Sequence, residues 1–307
     1  MPQEGSKGRR GEPIDGVLLL DKPAGITSTR ALAGAKRLLG AAKAGHTGTL
    51  DPFATGLLPL VFGEATKFAR FLLDARKGYE AVLHLGVETT TGDPEGEIVA
   101  RGTVAFDEER LAAVLAAFQG TQLQVPPMHS ALHVGGRRLY EYARAGEEVE
   151  RAARAIEVES IRVLFRRGDE LGLGVACSKG TYIRTLAADI GRALGCGASL
   201  AALRRTFVGP FRLEDAVTLE ALEAPDGRSH LLAPEVLVAG LARVEAAPEA
   251  AMRFLQGQEI AGEGPTTGEP VALFESGQRF LGVGVAQPGG RIAPLRLLAS
   301  TPAPRSP

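Results

Sequence analysis

The sequence predicts an α+β protein. A mixed, mainly antiparallel sheet domain spans 14–245, and a small all-β module follows over 246–307. Three observations carry this. Apolar runs at 155–166 and 171–177, joined by the polar turn RRGDE, read as paired strands. Amphipathic helical stretches such as DEERLAAVLAAF (107–118) are interspersed with such runs. After Ala246 the texture changes to short apolar segments, VALFESG, RFLGVGVA and RIAPLRLL, punctuated by Gly and Pro. No internal repeat of fixed period is present.

Taken in order, residues 1–13 read as a flexible basic tail. GVLLL (16–20) reads as a strand ended by the turn DKPAG, and a helix capped by Thr27 or Ser28 runs to Leu39 with Gly40 as its stop. AGHTGTLDP (44–52) is too Gly-rich for either periodicity and reads as a loop. A helix is expected over 65–74, a strand over Tyr79–Leu85, a turn at GDPEGE (92–97) and a further helix over 137–145. Thr181–Leu194 carries apolar residues at 183, 186, 187, 190 and 194, a helical period. TPAPRSP, at the end, reads as an extended Pro-rich tail.

The 307 residues amount to about two domains, and 45% hydrophobic with 23% charged residues excludes a disordered or collagen-like chain. No apolar run reaches the roughly 20 residues of a membrane span, and the basic N-terminus has no apolar core after it, so no secretory signal is read. Two isolated cysteines, Cys177 and Cys196, fit a reducing compartment, and the expected location is the cytoplasm. The net charge of −1 hides an asymmetry: +4 over 1–50, +5 over 171–212, −8 over 213–270, and four Arg without an acid from 276 onward. Such a chain can present basic faces to a polyanion.

Asp51 stands in a Gly-rich loop between Leu50 and Pro52, where a carboxylate is either a turn cap or a nucleophile or general base. His46 has no metal partner at a workable spacing, and His129 and His133 lack the flanking residues of a metal motif. Tyr79 and Tyr182 each lie at an element boundary beside a lysine, where a ring can pack an edge strand or stack on a base. With Thr181 as helix cap, Arg184 falls in the first turn, where the helix dipole disfavours a cation unless an anion lies opposite. Asp93, Glu95 and Glu97 read as a solvated turn. Phosphate-binding, dinucleotide and serine-hydrolase motifs are absent.

GVLLLDKPAGITS (16–28), AGHTGTLDPFATGLLPL (44–60), KGYEAVLHLGVETTTGD (77–93), HSALHVGGRRLYEYARAG (129–146), CSKGTYIRTLAADIG (177–191) and LRRTFVGPF (203–211) together resemble the TruB-type tRNA pseudouridine synthases, most closely the bacterial branch. The resemblance runs from about residue 14 to the C-terminus, with a PUA-type RNA-binding domain implied at the end. It implies Asp51 as nucleophile, Arg184 as the cation paired with it, and Tyr79 packing on the uracil and removing the C5 proton. It also implies His46 holding the RNA around an extruded nucleotide, Tyr182 and Leu203 lining the uridine pocket, and Lys22 at the rim of the site.

The implied reaction isomerises the T-loop uridine at position 55 of tRNA: the C1′–N1 bond breaks, the base rotates, and C5 is joined instead. It needs neither redox cofactor nor metal. It does need a flipped base, at a cost of about a few kcal/mol, and an ionised carboxylate beside a cation. Attack at uracil C6 and attack at ribose C1′ both remain open. The alternatives are a non-catalytic tRNA-binding or folding helper, a glycosidase, for which no second acid stands out near Asp51, and a related synthase acting on another RNA. The expected partner is the T arm of tRNA, with no membrane, and a monomer is expected.

Overall fold

The computed structural model describes residues 11–130, 132–262, 264–276 and 279–298. The outer part of the expected basic tail and the Pro-rich end lie outside these. Glu12 is already held, its amide donating to Gly40 O at 2.7 Å, so the tail ends before the expected residue 13.

In chain order the elements are β1 (Gly16–Lys22), α1 (Ser28–Leu39), β2 (Ala44–His46), β3 (Thr55–Phe62), α2 (Arg70–Leu73), β4 (Lys77–Leu85), β5 (Val87–Thr89), β6 (Ile98–Arg101), α3 (Glu108–Ala117) and β7 (Gly120–Gln124). They continue with β8 (His133–Val134), β9 (Arg137–Arg138), α4 (Leu139–Arg144), β10 (Arg154–Arg167), β11 (Glu170–Cys177), α5 (Ile183–Leu194), β12 (Ala198–Val208) and β13 (Phe211–Arg212). After a series of 3-10 turns come β14 (Ala242–Ala246), α6 (Pro248–Leu255), β15 (Ile260–Ala261), β16 (Pro270–Glu275), β17 (Phe280–Gln287) and β18 (Arg291–Leu297).

The 9-stranded sheet runs β1-β3-β12-β4-β11-β10-β7, with β2 on β3 and β13 on β12. Its pairings are antiparallel except β12 with β3, a short parallel contact at Arg204–Thr55 and Arg205–Gly56. Side chains alternate across β1. Leu18 and Leu20 join the core beneath α1, α3 and α5, whereas Val17 and Leu19 join a second core that also takes in Ala272, Phe274, Phe280 and Val283 of the C-terminal sheet. Both faces of β1 are therefore covered, which is why GVLLL is a continuous apolar run rather than an alternating one.

α1 begins and ends where expected: the Thr27 hydroxyl accepts from Arg30 N, and Gly40 closes the helix with φ 69°. Elsewhere tertiary contacts override local pattern. Ala44–His46, expected as loop, is a strand because β3 supplies it with backbone partners. The helix expected over 65–74 breaks into a 3-10 turn (Gly63–Lys67) and α2, which lets Phe68 and Leu72 both bury in the core shared with the C-terminal sheet. The helix expected from 137 starts at Leu139, because Arg137 and Arg138 pair with Val134 and His133. The cap of α5 is Tyr182, not Thr181.

The C-terminal unit also differs from its expectation. It is not all-β, since α6 packs Ala251 and Phe254 into its core. It begins at Ala242 rather than 246, because β14 is hydrogen-bonded alongside β16. In β14 the exposed Arg243 and Glu245 alternate with the buried Val244 and Ala246.

Candidate active site

The site is assembled where α5 starts against the loop between β2 and β3. Arg184, in the first turn of α5, is only 4% exposed. Its Nε lies 2.9 Å from Asp51 Oδ2, a charge contact off the N–H axis, and its Nη2 donates to Asp51 Oδ1 at 3.4 Å. The other edge of the guanidinium faces Asp93, with Nη1 at 3.3 Å from Oδ2. Backbone oxygens complete the set: Nη1 donates to Thr91 O at 3.1 Å and Nη2 to His129 O at 2.6 Å. The anion that Arg184's helix position called for is thus a pair of carboxylates.

The Asp51 loop is fastened on both sides. Ser28, the first residue of α1, accepts from Leu50 N at 2.8 Å and donates to Leu50 O at 3.0 Å. Gly25 N donates to Pro52 O at 2.8 Å. Lys22 Nζ donates to Pro23 O, Ile26 O and Pro52 O at 2.8, 2.7 and 3.2 Å. Lys22 is 0% exposed, so its expected place at the rim is corrected: its three N–H groups are taken by carbonyls, and it ties the D-K-P turn to the Asp51 loop.

A cavity of about 230 Å³ opens over Asp51. Asp51, Tyr79, Tyr182, Arg184, Leu203 and Arg205 line it, so the fold brings together five of the seven expected site residues. Lys22 and His46 are the two outside its lining. His46 ends β2 opposite Leu60, with Nδ1 buried and unpartnered. Tyr182 is set by Gln124, whose amide accepts from Tyr182 N at 2.8 Å and donates to Tyr182 O at 3.1 Å.

Burial governs the ionisable groups. It raises the Asp51 carboxyl above its ordinary value, Arg184 opposes that rise, and Asp93 adds to it. Burial likewise raises the Tyr79 and Tyr182 phenols, lowers His46, and brings Lys22 down to about 8. Among the described residues no group of three or more His, Cys, Asp or Glu is placed to hold a metal ion, and no helix is long and apolar enough to cross a membrane.

Three site residues escape a sequence reading. Asp93, read as part of a solvated turn, is buried: Thr91 Oγ1 donates to it at 2.5 Å and Glu95 N at 3.0 Å. Gln124 and Arg205 carry no local mark beyond the motif around Arg205. The basic excess over 1–50 and 171–212 also changes meaning, since Lys22, Arg184 and Arg205 spend their charge inside the domain rather than on a surface.

Together the sheet and the cavity define a class: an enzyme scaffold built around one ion-paired loop carboxylate. Solved structures share the fold. The chain superposes with TM-score 0.73 and 27% identity on a protein in a structure titled as an H/ACA RNP bound to a substrate RNA containing 2′-deoxyuridine, covering 92% of this chain and 84% of that one. A Cbf5–Nop10–Gar1 complex gives 0.70 and 31%, covering 89% and 78%.

Family models match in series: the N-terminal domain of TruB family pseudouridylate synthases over 36–183, the tRNA pseudouridylate synthase B C-terminal domain over 184–236, and the C-terminal model of pseudouridine synthase II TruB over 242–298. Curated relatives named tRNA pseudouridine synthase B are 53% identical in Aromatoleum aromaticum (94% of each chain) and 54% in Azoarcus sp. (94% of this chain, 96% of the relative). The chain belongs to the TruB family of pseudouridylate synthases.

Proposed function

We propose that this chain isomerises a uridine of tRNA to pseudouridine, and that its target is the T-loop uridine at position 55. The observation that carries the reading is the contact of Arg184 Nε with Asp51 at 2.9 Å within a cavity lined by Tyr79, Tyr182 and Leu203. Asp51 is the nucleophile. Arg184 opposes the rise that desolvation imposes on this carboxyl, favouring its ionised form, and holds it in one orientation. Tyr79 and Leu203 pack against a flipped uracil, and contacts with Tyr182 offset the cost of extrusion. His46 lies on the strand leading into the Asp51 loop, where it faces the RNA outside the pocket.

The same reading makes the part from Ala242 onward an auxiliary RNA-binding domain, the whole working as a monomer in the cytoplasm. Cys177 and Cys196, both buried and free, fit that compartment.

The test is release of tritium from a tRNA transcript labelled at C5 of uridine, with wild type beside Asp51→Asn. One label released per tRNA by the wild type alone, and lost when the T-loop uridine is replaced, is the expected result. Binding of tRNA by the wild type without release would leave an RNA-binding protein and remove the isomerase reading.

A further inference from the structure

Arg205 is a buried cation without a carboxylate. It is 1% exposed and takes part in no ion pair among the described residues, whereas its neighbour Arg204 faces the other side of β12 and pairs with Asp21 at 2.7 Å. Nε donates to Leu57 O at 2.7 Å and Nη1 to Thr49 O at 3.2 Å, and Nη2 is buried with no hydrogen-bond partner. An uncompensated buried charge is costly, and two carbonyls offset only part of it. The backbone is shaped around the residue: Gly56, with φ 100°, sits where a Cβ would collide with the Arg205 main chain.

The group opposite is Tyr79. In the antiparallel pairing of β12 with β4, Arg205 and Tyr79 are direct cross-strand partners, both line the Asp51 cavity, and the phenol is buried. We propose that Arg205 is a positioning residue that favours the ionised form of the Tyr79 oxygen, so that Tyr79 removes the C5 proton of the rotated uracil. In that step the C5–H bond breaks and its electron pair forms the C5–C6 double bond. The pair that C6 gives up leaves with the Asp51 carboxylate where that is joined to C6. Where Asp51 attacked C1′, it moves instead from C6=N1 to N1, which takes a proton from water. The C5 proton passes to Tyr79 Oη and then to water as product leaves. The inference rests on the isomerase reading above.

Burial pushes the Tyr79 phenol up, and the Arg205 guanidinium works against that rise. Other ionisable groups face the pair. Lys77, on the strand of Tyr79, donates to Leu73 O and Ala75 O and is brought down to about 8, chiefly by burial. Cys177 on β11 is pushed up to about 11 and stays neutral. Asp51 approaches from its loop, and His46 and Lys22 both feel the Arg205 charge.

The test compares wild type, Arg205→Gln and Arg205→Lys, each with and without Tyr79→Phe. The Tyr79 phenol is titrated by ultraviolet difference spectra, and single-turnover rates and tRNA affinity are followed against pH. In Arg205→Gln the phenol should ionise at least about one unit higher. The rate at neutral pH should then fall about tenfold or more and recover as pH rises, with tRNA affinity nearly constant. Arg205→Lys, which keeps the charge without the planar fork, should fall between the two, and the shift should persist in a Lys77→Gln background.

An unmoved Tyr79 titration, or a rate lowered equally at every pH, overturns the proposal and leaves Arg205 a packing residue. If the Gln variant does not fold, Arg205→Lys carries the same titration, and an unshifted phenol there overturns it too. A phenol shift in a wild-type background that makes no pseudouridine supports the Arg205–Tyr79 coupling and overturns the isomerase reading instead.

Discussion

Arg184 and Asp93 form an ion pair at 3.3 Å in which both side chains are 4% exposed, on the guanidinium edge opposite Asp51. One cation therefore serves two carboxylates, and the more buried of the two is not the proposed nucleophile. Asp93 fixes the guanidinium, and Asp51, with its side chain 38% exposed, keeps a free approach to substrate.

Asp93→Asn removes an anchor of Arg184 and also a like charge that raises Asp51. The acid limb of the single-turnover rate profile should move to lower pH while the plateau rate falls roughly tenfold or more through misplacement of the guanidinium. Arg184→Met leaves Asp93 buried beside no cation. Urea unfolding should show a loss of about 3–5 kcal/mol.

Asp51 is expected to stabilise the fold least where it works. A carboxyl whose folded pKa is raised binds its proton more tightly in the folded state, so its penalty is absent at low pH and fully present above the folded pKa. Asp51→Asn should therefore melt at a higher temperature than wild type at neutral pH, with the gap closing as pH falls toward the unfolded carboxylate value of about 3.9. In the wild type, activity should rise with pH through the raised Asp51 pKa. A melting gap that widens at low pH would contradict this assignment.

Lys22 is expected to act on the fold rather than on RNA. Lys22→Met strands Pro23 O, Ile26 O and Pro52 O, and should cost roughly 1–3 kcal/mol by denaturant titration. At temperatures where the variant is folded, tRNA affinity and the slope of log affinity against log salt should match wild type. A phosphate-contacting lysine would lower that slope by about one.

Gly78 precedes Tyr79 in β4 and lies opposite Phe207, and a Cβ there would enter the Phe207 ring. Gly78→Ala should destabilise by about 1–3 kcal/mol through overpacking. The Tyr79–Arg205 register lies next to the displaced ring, so the rate should fall as well. Stability by chemical denaturation and rate by single turnover check the two parts separately.

The chain carries α1 in its local residues: a threonine cap, a helical period and a glycine stop need no partner to be read. The candidate residues that line the cavity were legible too, because Asp51, Tyr79, Arg184, Tyr182 and Leu203 stand in long motifs whose order matches one family. Where local pattern failed, the deciding partner was remote. His46 sits in a strand only because β3 offers it backbone groups, and β14 is a strand only because β16 lies alongside.

What the sequence determined by itself is the α+β class, the family and the residue types of the site, since periodicity, caps and motifs are properties of neighbours along the chain. What the tertiary structure alone decided is which charges face one another. Asp51 and Arg184 are separated by 133 positions, Asp93 looks like a surface turn until the sheet buries it, and Lys22 looks like a rim lysine until three carbonyls surround it. Desolvation is the reason: a side chain's charge acquires its pKa, its cost and its role from the groups that replace water around it, and only folding chooses those groups.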